Sequence, residues 1–219
     1  MTDISFKSDE ITAHFPVNVL TRQYNNIETL NQRLSKVILG MEREFKNTPQ
    51  NASKDGAIAT AGGYQTSQRL NIFQLQNPEF LTLYQNIIEP AAKKYIEETF
   101  KEKSSQIRLS PLGWANVLRN GDWQRPHCHP TNGNLISGVY YVNVPEEQSP
   151  AGEIEFMNPL PISMHHGYSA SKRIQPQAGK LLLFPPYHMH YVHPVKSSEP
   201  RIIIAFDISL AKNNLEFVF

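Results

Sequence analysis

The chain has 219 residues, 40% hydrophobic and 19% charged, an ordinary globular composition with room for one domain and a sizeable core. Its formal net charge of +1 gives no broad electrostatic reason to expect nucleic acid or an anionic membrane surface as a partner. Its longest apolar runs, such as Leu181 to Pro186, are strand-length and far below a membrane span. The opening Met1 to Lys7 lacks a basic segment leading into an apolar core, and the single cysteine, Cys128, cannot form an internal disulfide. The expected setting is therefore cytoplasmic.

In chain order, the first predicted element is an amphipathic helix from about residue 25 to 46. It carries Ile27, Leu30, Leu34, Val37, Ile38, Met41 and Phe45 at spacings of three and four. Residues 47–63 are polar and rich in small side chains, which predicts a loop. A second helical pattern runs from about 78 to 102 with Phe80, Leu83, Tyr84, Ile87, Ile88, Tyr95 and Ile96, and Pro90 should kink it or start a turn. Neither helix gathers catalytic residue types, so both read as packing elements. From Leu112 onward short apolar runs alternate with Gly, Pro and Asn, the pattern of an antiparallel sandwich or barrel. Strands are predicted near 114–119, 123–129, 135–144, 153–157, 171–175, 180–184, 188–193 and 201–209, enough for a double-sheet jelly roll. A single domain is expected, with a helical section over 1–110 and a β core over 111–219.

Seven of the eight histidines fall between His127 and His193. On a strand, residues i and i+2 share a side, so His127 and His129 in Arg125-Pro126-His127-Cys128-His129-Pro130 can aim two imidazoles at one point. Cys128 would then face away as a small buried hydrophobe. A third imidazole must come from His188, His190 or His193. His190 is preferred because it follows the run Leu181–Phe184 beyond a Pro-Pro turn, with His188 as the alternative or as a support. Three imidazoles with open positions suit a transition metal. His165 and His166 sit in a loop-like stretch and read as solvated, and the segment 157–173 is long enough either to cover the mouth of the barrel or simply to connect two strands.

On the last strand, Ile202, Ile204, Phe206 and Ile208 take one face, and Arg201, Ile203, Ala205, Asp207 and Ser209 take the other. A guanidinium pointing into a barrel mouth would need an anion, and its planar fork matches a carboxylate. An arginine at a strand end can equally reach solvent.

Several blocks together resemble a known family. They are Trp114-Ala115-Asn116-Val117, Gly121-Asp122, Arg125 to Pro130, Ser137-Gly138-Val139-Tyr140-Tyr141-Val142, Gly179 to Pro185 and Arg201 to Ile208, with a weaker echo at Phe15-Pro16-Val17 and Gly62-Gly63-Tyr64-Gln65. In this order they resemble the 2-oxoglutarate/Fe(II)-dependent oxygenases. The resemblance implies a mainly β protein, a double-stranded β-helix (jelly roll) flanked by helices. It implies Fe(II) held by His127, His129 and His190, 2-oxoglutarate paired with Arg201, and Tyr140 and Tyr141 near the co-substrate. Two departures stand out. His129 occupies the place where the superfamily usually presents Asp or Glu, and Ile203 stands where an Arg-X-Ser pattern would place a hydroxyl.

The expected function is an oxygenase that couples oxidative decarboxylation of 2-oxoglutarate to oxidation of a substrate the sequence does not name. Two alternatives are a cupin-like three-histidine metalloenzyme without 2-oxoglutarate, against which no Glu follows His129 at a short spacing and Glu153 and Glu155 lie further on, and a non-catalytic metal-binding jelly roll. An exposed sheet edge or the amphipathic helices could support a homodimer.

Overall fold

The computed structural model describes residues 17–47, 59–67, 70–101 and 107–211. Eleven strands form among them: β1 (Leu20–Gln23), β2 (Thr60–Ala61), β3 (Tyr64–Gln65), β4 (Leu109–Leu118), β5 (Trp123–His127), β6 (Asn134–Asn143), β7 (Ile154–Met157), β8 (Ser171–Ile174), β9 (Lys180–Phe184), β10 (His190–Val192) and β11 (Arg201–Leu210). All pairings are antiparallel. The major sheet has the order β1-β9-β6-β11-β4-β3, and the minor sheet the order β2-β5-β10-β7-β8. Among the described residues no helix is long and apolar enough to cross a membrane.

The helices are α1 (Glu28–Asn47), α2 (Pro78–Leu83) and α3 (Glu89–Phe100). The Asn77 side chain caps α2 by accepting from the Glu79 and Phe80 amides. Between α2 and α3 the chain runs through a wider π turn at Tyr84–Ile88, in which the Glu89 amide reaches the Tyr84 carbonyl. The expected disturbance at Pro90 takes this form: a proline has no amide to donate, and the widened turn just before it lets the helical path continue.

Period-two alternation on the central strands divides the interior into two cores. Ile202, Ile204, Phe206 and Ile208 of β11 join Tyr140, Leu181 and Leu183 against Leu34 and Ile38 of α1 and the apolar faces of α2 and α3. At roughly 1.5–3 kcal/mol for each fully buried large apolar side chain, this contact holds the helices to the major sheet. The other face of the same strands meets the minor sheet through Trp114, Val139, Tyr141, Leu182, Ile203 and Ala205, packed on Ile154, Phe156 and Val192.

The expected core strands are all present, with shorter ends near the histidines. Three strands of the first section, β1 to β3, carry no sequence pattern of their own and exist because their backbones complete sheet edges. β4 begins earlier than predicted and includes Pro111, which is tolerated because β3 covers only the Val117 and Asn116 end of that edge. The predicted loop 47–63 lies mostly outside the described residues, as do Phe15 and Pro16. Gly62 and Gly63, which carry the chain from the minor to the major sheet between β2 and β3, both have positive φ (75° and 64°). A β-carbon on Gly63 would lie 2.6 Å from the Val117 carbonyl oxygen, so only glycine fits the close crossing.

Candidate metal and co-substrate site

The three histidines meet between the two sheets. His127 ends β5 and pairs directly with His190, which begins β10. Directly opposed residues of an antiparallel pair point to the same side, and their ring centroids lie 4.3 Å apart. His129 arrives differently. β5 stops at His127, and His129 is placed by its own amide, which donates to the Pro186 carbonyl at 2.9 Å. Its ring then packs on Trp114 and edge-on to Phe184. One ring nitrogen from each of the three residues lies within 4.8 Å of the other two.

Hydrogen bonds fix the tautomers. His127 Nδ1 donates to the Arg125 carbonyl at 2.7 Å, His190 Nδ1 to the His188 carbonyl at 2.8 Å, and His129 Nδ1 to Asp207 Oδ1 at 2.6 Å. Each acceptor is an oxygen, so each Nδ1 carries the proton and each Nε2 keeps its lone pair, the form a metal ligand needs. Burial, reinforced by the neighbouring His127, holds His190 well below the usual imidazole range, and burial also lowers His127. Those two imidazoles are thus neutral near pH 7.

The remaining histidines fall outside the cluster. His188 is buried against Phe156 and supports His190 through its backbone oxygen. His165 and His166 lie in an exposed 3₁₀ turn. None of 157–173 lines the cavity, so in this structure the segment connects β7 to β8 and does not cover the site. His193 Nε2 instead donates to Glu155, which also accepts from Ser171 and Tyr191. Glu155 is therefore occupied on the outer face of the minor sheet and is not offered to the histidines. Cys128 is exposed, contrary to expectation. With the strand ended at His127, the alternation that would have turned the thiol away from the histidines does not continue, and Cys128 is among the residues lining the cavity.

A cavity of about 400 Å³ extends from the histidines to Arg201, with Tyr141, Ile203 and Asp207 on its walls. Arg201 is 1% exposed. Its guanidinium carbon sits 5.3 Å from the Tyr141 ring centroid. Burial lowers the arginine and raises the tyrosine from their ordinary pKa values. Arg201 Nε and Nη1 and Tyr141 Oη have no hydrogen-bond partner among the described residues. Three buried donors without an acceptor, on two residues lining one cavity, are costly, and an entering carboxylate would satisfy them. The residues present therefore fit a dicarboxylate reaching from the histidines to Arg201. Tyr141 presents a hydroxyl on the wall where Ile203 offers none.

Tyr140 does not belong to this wall. It faces the helices, and its hydroxyl donates to Asn31 Oδ1 at 2.9 Å. Adjacent strand residues point to opposite faces, so one of the two tyrosines had to leave the cavity. Asp207, on the cavity face of β11 and bonded to His129, was not among the predicted site residues. Its shared face with Arg201 was the available signal.

Residues 113–207 match the family described as "Putative 2OG-Fe(II) oxygenase". Among solved structures, a Pseudomonas putida prolyl-4-hydroxylase is similar with a TM-score of 0.61 at 12% identity, over 87% of this chain and 91% of that one. A Trichoplax adhaerens prolyl hydroxylase, solved with a hypoxia inducible factor peptide fragment, gives 0.60 at 12% identity, over 87% and 83%. HygX from Streptomyces hygroscopicus, solved with nickel and 2-oxoglutarate, gives 0.53 at 11% identity, over 88% and 82%. No curated protein matches the chain. The fold is the double-stranded β-helix of these oxygenases.

Proposed function

We propose that this chain, whose residues 113–207 carry the 2OG-Fe(II) oxygenase match, is an Fe(II)- and 2-oxoglutarate-dependent oxygenase of hydroxylase type. The family match over residues 113–207 and the fold both support an oxidoreductase. His127, His129 and His190 would hold the iron through Nε2. When bound, Fe(II) and 2-oxoglutarate supply the chemistry of oxygen activation, in which decarboxylation to succinate drives oxidation of a substrate C–H bond. The chain's own contribution is positioning. Arg201 and Tyr141 bind and orient the distal carboxylate, while the Nδ1 bonds keep the imidazoles aligned with Nε2 toward the metal. Trp114, Phe184 and Phe156 keep water from the inner wall. A cytoplasmic setting belongs to the same reading, since a reducing compartment keeps both ferrous iron and an exposed Cys128 thiol reduced.

The observation that carries the proposal is the orphaned Arg201–Tyr141 donor set at the end of the cavity away from the Asp207–His129 bond. Arg201 and Asp207 are six residues apart on one strand, about 20 Å along the backbone at roughly 3.3 Å per residue, and both line the cavity. A cupin-type site without 2-oxoglutarate leaves these donors unexplained and loses Glu155 as a ligand. The test is anaerobic titration of the Fe(II)-loaded protein with 2-oxoglutarate, following the visible metal-to-ligand charge-transfer band. Saturation is expected for the native chain and its loss for Arg201→Met. Bound iron with no band in the native chain removes 2-oxoglutarate from the account.

A further inference from the structure

We infer that Asp207 is a positioning residue that returns to the metal site the negative charge the ligand set lacks, through a carboxylate–imidazole pair with His129. The inference rests on the metal reading above.

With three neutral imidazoles the coordination sphere holds no anion from the protein, because His129 stands where a carboxylate is usual. The three Nδ1 partners are not alike. Those of His127 and His190 are main-chain carbonyls, and only that of His129 is a carboxylate. Asp207 is 4% exposed and, among the described residues, is the only acidic one lining the cavity. Its Oδ1 also accepts from Ser137 Oγ at 2.6 Å. Ser137 and Asp207 are register partners on β6 and β11, so the carboxylate is held by the central sheet rather than by a loop. It meets His129 at Nδ1, on the far side of the ring from Nε2, so it acts through the imidazole and not as a ligand.

A carboxylate hydrogen-bonded to the remote nitrogen raises the basicity of the ligating nitrogen and fixes the plane of the ring. The fixing matters most for His129, which lacks the strand pairing that places His127 and His190. In this chain the charge has moved one side chain outward, from the ligand position to the residue behind it.

The test is binding of Co(II) to the full chain, followed by its visible spectrum, with Asp207→Asn as the main variant. Asparagine can still accept from His129 Nδ1 and fills the same space, so the variant removes charge and retains position. The expected result is a dissociation constant weakened 10- to 100-fold, whereas Ser137→Ala, which removes no charge, changes it by less. His129→Asp supplies the second arm. There Asp207 faces another carboxylate, and adding Asp207→Asn is expected to tighten Co(II) binding, reversing the sign of its effect. A purely structural role for Asp207 would show the same sign in both backgrounds and would overturn the inference. Native and Asp207→Asn proteins with equal constants would do so too. If Asp207→Asn does not fold, the comparison of His129→Asp with the double variant decides alone. A native chain that binds no Co(II) overturns the metal reading itself, and this inference falls with it.

Discussion

The two faces of the major sheet teach opposite lessons about buried polar groups. Tyr140 and Tyr141 are adjacent on β6 and both fully buried. Tyr140, under the helices, has its hydroxyl donating to Asn31. Tyr141, facing the minor sheet, has no acceptor, and neither do two nitrogens of the arginine beside it. Natural interiors rarely leave such groups unpaired. Among the described residues, the unpartnered group on the helix side is the Asn31 amide nitrogen, whereas the cavity side holds a tyrosine hydroxyl and two arginine nitrogens that the proposed co-substrate would satisfy.

The most severe break in this comparison is His190→Ala. A metal present at a hundred times its dissociation constant adds about 2.7 kcal/mol to the native chain, or roughly 5–10 °C in melting temperature for a domain this size. That shift should vanish in the variant, and the helix-side core should leave the circular dichroism spectrum unchanged. An undiminished metal-dependent shift would remove His190 from the ligand set.

Arg201→Met sharpens the comparison from the stability side. A buried cation with two unpartnered nitrogens costs more than a packed hydrophobe, so the variant that loses 2-oxoglutarate binding should be as stable as the native chain without ligand, or more stable by about 1–4 kcal/mol. Denaturant unfolding without co-substrate would measure it, and a large loss of stability would mean Arg201 has a structural partner.

Glu155 shows what a half-buried charge is like when its partners are supplied. Burial alone would raise its carboxyl, but bonds from Ser171, Tyr191 and His193 outweigh that and bring it down to about 2. The unfolded chain therefore binds a proton before the folded one does. The stabilisation is fully present above the unfolded value, near 4.5, and is lost as the pH falls from there through about 2. Its magnitude at neutral pH is on the order of 2 kcal/mol. Glu155→Gln should flatten the dependence of melting temperature on pH across that window, and an unaltered acid profile would contradict the assignment.

The smallest effects come from the tyrosine pair itself. Tyr140→Phe should cost about 1 kcal/mol of stability, because Asn31 Oδ1 loses its donor, with 2-oxoglutarate binding unchanged. Tyr141→Phe should leave stability unchanged and weaken 2-oxoglutarate binding roughly ten- to a hundredfold. Parallel thermal melts and co-substrate titrations would expose an exchange of these roles.

Much of this was legible in the chain itself. Alternation placed the core strands and divided β11 into its two faces, and three-and-four spacing placed α1 and the pattern that became α2 and α3. These signals are local, because side-chain direction repeats with the backbone. The pairing of His127 with His190 could be guessed from spacing, but the register that opposes them is a property of β5 and β10 together. The short strands β1 to β3 escaped notice because backbone pairing with distant residues, not their own side chains, makes them strands.

Sequence by itself determined the fold class, the helices and core strands, and which residue types could bind a metal and a carboxylate. Tertiary structure alone decided which tyrosine faces the cavity, where the strand before His129 ends, and that Asp207 stands behind His129. Periodicity is written in neighbouring residues, but a site is built by register and loop contacts between segments far apart in the chain. His129 and Asp207 are 78 positions apart, and only the folded sheet brings them within a hydrogen bond.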